Sequence, residues 1–112
     1  MIRIKLTKDK LISFLKATET IIHHLHNQKS GMDYTIDRVR VNVYLSIMQD
    51  LSRKLRSKLI IIESVSGNKK VTYTFTGMQL LIIFTYRKIE MDSYTMAILE
   101  QESTKVLPKL LE

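Results

Sequence analysis

Two stretches of this chain, 69 residues apart, carry the same pattern. In the first, Ile2, Ile4 and Leu6 alternate with Arg3 and Lys5; in the second, Val71, Tyr73 and Phe75 alternate with Thr72 and Thr74. Alternation with a period of two specifies a short strand with one covered and one solvated face. Each run ends in a threonine (Thr7, Thr76), a residue suited to capping a helix N-terminus. The correspondence continues beyond the cap, with Leu11 falling on Leu80, Ile12 on Leu81, Phe14 on Ile83 and Leu15 on Phe84. The expectation is two strand–helix–helix halves, about 1–63 and 70–112, whose strands pair at the centre under helices packed over one face. A lone two-stranded ribbon is marginal and needs those helices.

The remaining elements follow from periodicity and caps. After Thr7, with Asp9 in the first turn, Leu11, Leu15, Thr18, Ile22 and Leu25 form a helical stripe that Ile12, Phe14 and Ile21 widen. Residues 27–31 read as a connection, and Ser30 with Asp33 three positions on resembles a capping box for a second helix. Its apolar face of Val41, Tyr44, Met48, Leu51, Leu55, Leu59 and Ile62 carries that helix to about Glu63. The β-branched run at 59–62 also suits a strand, so the rival architecture is a β-hairpin over 59–76 or one turning at Gly77. Residues 64–70, holding Gly67 and Asn68, read as a turn. Residues 78–86 are apolar almost all round and predict a fully buried helix capped by Thr76. A last helix starts at Asp92 or Ser93 and ends or kinks at Pro108. The fold class is α+β: two short strands and four helices, mostly helical, in a single domain spanning 1–112.

Composition narrows the function. With 45% apolar and 26% charged residues the 112-residue chain is of ordinary globular type. It has no cysteine, which excludes a disulfide framework, a zinc ribbon and a thiol nucleophile. No uninterrupted apolar run of membrane-spanning length occurs, and the first residues lack the apolar core of a signal peptide, so a cytoplasmic location is expected. The net charge of +7 is lopsided. Residues 1–58 hold 12 Lys and Arg against 5 Asp and Glu, whereas residues 59–112 hold 6 of each kind. One basic surface facing a polyanion accounts for this, as does a charge that serves solubility alone.

The basic residues gather most clearly on the second helix. Arg38, Asn42, Gln49, Arg53 and Arg56 fall within about 60° of each other at about 100° per residue, away from the apolar stripe. Residues 53–58 hold four basic side chains, and Lys8, Lys10, Lys16 and Lys29 add charge from the first helix. A phosphate backbone fits such a ridge, with Asn42 and Gln49 able to bond bases or phosphates. A solvated helix face carries similar residues. No recognised docking motif or stacking platform accompanies the ridge, because Tyr73 and Phe75 fall on the buried side of their strand.

Other chemistry is thin. Glu19, His23 and His26 lie within about one helical turn of a common flank, with His24 on the opposite face. No fourth ligand follows at a characteristic spacing, so they read as flank residues and no metal or other cofactor is expected. Asp33 and Asp37 suit a helix start, Glu100 and Glu102 do not share a helix face, and no catalytic motif occurs, so the chain reads as no enzyme. The first functional expectation is a small basic accessory or regulatory protein contacting nucleic acid through the second helix. The alternative is a homo-oligomeric protein–protein interaction module, a homodimer or a partner of another protein, with no nucleic-acid role. Met32, Met48, Met78, Met91 and Met96 would give it adaptable contacts.

Overall fold

A computed structural model of the chain describes residues 2–30, 36–64, 70–86 and 93–110. The order is β1 (Ile2–Leu6), α1 (Lys8–Ser30), α2 (Ile36–Glu63), β2 (Val71–Phe75), α3 (Gly77–Thr85) and α4 (Ser93–Leu110). This is the expected strand–helix–helix order, given twice. The two strands pair antiparallel, with Ile2 opposite Phe75, Ile4 opposite Tyr73 and Leu6 opposite Val71. No strand forms at 59–63, which belong to α2, so the rival hairpin over 59–76 is overturned. The β-branched run stays helical because Ile62 is buried and Leu59 packs against the core, while Ile60 and Ile61 face outward. Tertiary burial on one helix face outweighs local strand propensity.

Both strands show the same burial: outer residues exposed, and inner residues increasingly covered towards the C-terminal end. Leu6 and Phe75 are fully buried, and Phe75 meets Phe14 of α1 at a centroid distance of 5.3 Å. Both strands end in working caps. The Lys10 backbone N–H donates to Thr7 Oγ1 at 3.3 Å. In the second half, Thr76 and Gln79 form a full capping box, at 3.1 Å and 3.0 Å. The equivalence reaches the core: Leu11 and Leu80, Phe14 and Ile83, and Leu15 and Phe84 are all buried. The halves differ in helix length, 23 and 28 residues against 9 and 18. The α1–α2 pair therefore forms the long axis of a body 49 × 32 × 26 Å across; a 28-residue helix alone runs about 42 Å.

Four local expectations change. Residues 27–30 continue α1, so Ser30 is the last residue of that helix and donates its hydroxyl to the Asn27 carbonyl at 2.9 Å. Its expected capping partner Asp33 lies outside the described residues. The α3 segment is half covered: Gln79, Leu80, Ile82, Ile83 and Phe84 are buried, whereas Met78 is 46% and Leu81 49% exposed. Pro108 sits inside the last turn of α4, which continues to Leu110. Its missing N–H removes only one bond near a helix end, where the loss is smallest. Most of the turn at 64–70, with Met32, Met91 and Asp92, lies outside the described residues.

Buried polar groups are satisfied among the described residues, with no buried side-chain nitrogen or oxygen lacking a partner. Thr18, fully buried in α1, donates to the Phe14 carbonyl at 2.7 Å. Since Phe75 fills the space beneath the ribbon against Phe14, Phe75→Ala should destabilise the fold by about 3–5 kcal/mol. Urea denaturation measures this, and a loss below about 1 kcal/mol would mean the ribbon does not rest on that ring.

Candidate nucleic-acid interface

The α2 ridge forms as a flank of the helix. Asn42, Gln49, Arg53 and Arg56 are exposed and Arg38 is half-buried. Its cations are not idle. Arg56 reaches across to α1 and bonds Glu19. Arg53 pairs with Asp50 at 2.9 Å, and Lys54 holds the other oxygen of the same carboxylate at 3.0 Å. The hydrogen bond from Lys54, with Arg53 adding to it, holds the Asp50 carboxyl below the usual carboxylate range, and Asp50 raises Lys54 in return. The first-helix lysines do not all join this flank, since Lys10 turns to α4 and pairs with Glu102 at 2.9 Å.

The metal candidates disperse. Glu19 is taken by Arg56, His23 and His26 are exposed, and His24 packs edge-on against Tyr86 at 5.6 Å. Among the described residues no three His, Cys, Asp or Glu side chains gather as a metal would need.

A second basic surface lies on the ribbon itself. Ile4, Leu6, Tyr73 and Phe75 turn into the core, and the side chains of the opposite face are exposed. Its four positions are Arg3 beside Thr74 and Lys5 beside Thr72, all exposed, with no carboxylate among them. Lys70, one residue before β2, is exposed too. Along β1 lies a cleft of about 280 Å³ whose charged lining is Arg3, Lys5, Lys10, Lys70, Lys105 and Glu102, beside the apolar Ile2, Ile4 and Val106. Glu102 has a side chain only 5% exposed, is bonded by Lys10, and is the one acid among five cations. The residues of this surface were readable as polar strand positions. What alternation could not supply was the pairing that sets Arg3 and Lys5 beside two threonines.

No helix among the described residues is long and apolar enough to cross a membrane. The chain matches no protein-family model, no curated protein and no solved structure. The surfaces therefore stand on their own chemistry.

Burial perturbs two phenols, Tyr73 on the covered side of the ribbon and Tyr86 at the end of α3. Burial pushes Tyr73 above the ordinary tyrosine value, against the partial relief of nearby Lys54 and a hydrogen bond with Gln79. Burial likewise raises Tyr86, opposed by Arg40. A phenol whose folded value is raised adds stability that is fully present below its unfolded value and lost as pH rises through the folded one. Ultraviolet titration should show late-ionising phenols, and Tyr73→Phe should remove one of them and soften the alkaline loss of stability. An unchanged late phase in Tyr73→Phe would contradict the burial of that ring.

Proposed function

We propose that this chain is a small basic accessory or regulatory protein of the cytoplasm, a binder rather than an enzyme, and that its partner is duplex DNA. What supports the reading is the open face of the ribbon: Arg3, Lys5, Thr72 and Thr74 are exposed and have no carboxylate among them. A B-form major groove is about 12 Å wide and admits a two-stranded ribbon. Arginine, lysine and threonine are side chains that bond base edges and phosphates there. The adjoining cleft adds cations where a phosphate backbone would pass.

The α2 flank of Arg38, Asn42, Gln49, Arg53 and Arg56 is the competing surface for the same partner. The ribbon is favoured because Arg53 and Arg56 already face carboxylates. Exposed pairs of this kind are worth about 0–1 kcal/mol, so a phosphate can still displace them. Fluorescence anisotropy with a mixed-sequence duplex of about 20 base pairs separates the two surfaces. Affinity should fall steeply as salt rises. Replacing Arg3 and Lys5 together by alanine should weaken binding about tenfold or more, while Arg53→Ala with Arg56→Ala should change it by less than about threefold. The reverse ranking would move the contact to α2, and no duplex binding at low salt would end the reading.

A second reading, the homo-oligomeric module, is favoured by apolar residues on the outer side of α2. Val39 is 56% and Ile60 69% exposed, with Val43 and Ile61 half exposed beside them. An antiparallel pairing of two α2 helices would lay Val39 and Val43 of one copy on Ile60 and Ile61 of the other. Light scattering should then show a dimer that Val43→Asp with Ile61→Asp breaks. A wild-type monomer at all concentrations would exclude it.

A further inference from the structure

The ribbon is two-fold symmetric in its backbone pairing and asymmetric in its open side chains. Adding 69 to a β1 position gives its β2 counterpart, and under that exchange Ile4↔Tyr73 maps onto itself while Ile2↔Phe75 and Leu6↔Val71 trade places. The local dyad therefore passes through the Ile4–Tyr73 pair. On the covered face the equivalent positions stay alike: Ile4 and Tyr73 are both buried, as are Leu6 and Phe75. On the open face they do not. The counterpart of Arg3 is Thr72 and that of Lys5 is Thr74. One strand presents two long cationic donors, the other two short hydroxyls with methyl groups. Lys70, beside the Lys5 end in the same cleft, adds further charge.

A symmetric ribbon laid in a groove would meet the same base pattern on both sides of its dyad, which is a palindrome. This ribbon cannot. Arginine and lysine donate to guanine O6 and N7, whereas threonine bonds any base weakly and packs its methyl on that of thymine. Residues two apart on a strand are spaced by about 6.8 Å, matching two base-pair steps of about 3.4 Å. Resting on the duplex-DNA reading above, we propose that the ribbon reads a non-palindromic site. Two guanines about two base pairs apart on one DNA strand lie under Arg3 and Lys5, one on each side of the dyad, while Thr74 and Thr72 face the complementary strand at the same two levels.

Selection of duplexes by the full chain from a random pool tests this. The enriched motif should hold both guanines on one strand, and changing either guanine to adenine should weaken binding about fivefold or more. Thr72→Arg with Thr74→Lys makes the two strands alike and should convert the selected motif to an inverted repeat with one guanine on each strand. Arg3→Ala with Lys5→Ala should erase the guanine preference while leaving the fold intact by circular dichroism, since both side chains are exposed. A palindromic wild-type motif, equal binding to all duplexes, or guanine preference that survives loss of Arg3 and Lys5 would overturn the inference and leave the parent reading standing. Failure to bind any duplex at low salt would instead overturn the parent reading, and this one with it.

Discussion

Five pairs of residues along β1 and β2 decide what is inside this protein and what is outside. Side chains alternate across a strand, so a slip of one residue would turn Ile4 and Leu6 to water and drive Arg3 and Lys5 into the core. Bringing the two strands together closes the connection over residues 7–70, at an entropic cost of about 4 kcal/mol beyond a fixed constant. Burying Leu6 and Phe75 completely offsets that, at about 1.5–3 kcal/mol for each such side chain. The pairing is held less by its own hydrogen bonds than by the helices beneath it.

The same pairing creates the surface chemistry. With Ile4, Leu6, Tyr73 and Phe75 turned into the core, Arg3, Lys5, Thr72 and Thr74 on the opposite face are left exposed. Lys10 and Glu102 tie the start of α1 to the middle of α4 across 92 residues of chain, and so hold one wall of the cleft beside β1. The basic flank of α2 arises differently, as the exposed side of a long helix, and its charges are partly met by Glu19 and Asp50. Of the two basic surfaces, the ribbon is the one whose position follows from the fold rather than from helix periodicity alone.

Much of this fold was legible in the residues because local and global preferences agree: alternation marks both strands, Thr7 and Thr76 cap where strands end, and apolar spacing marks each helix. Where they disagreed, tertiary packing prevailed. Ile60 and Ile61 accept exposure so that Ile62 can be buried, and residues 27–30 extend α1 despite their turn-like composition. Met78 and Leu81 are exposed because the short α3 has neighbours on only one side, which composition cannot reveal. The α2 candidates share a flank as their spacing implies, but the partners of Arg56 and Lys10 come from distant helices. The open face of the ribbon needed the strand register, which no single segment encodes.

That register is the central claim, and nuclear Overhauser effects between α-protons across the strands test it directly. The account predicts cross-strand contacts only between alternate residues of the set Ile2–Phe75, Arg3–Thr74, Ile4–Tyr73, Lys5–Thr72 and Leu6–Val71. Contacts displaced by one residue, or strand contacts joining residues 59–63 to β2, would contradict it.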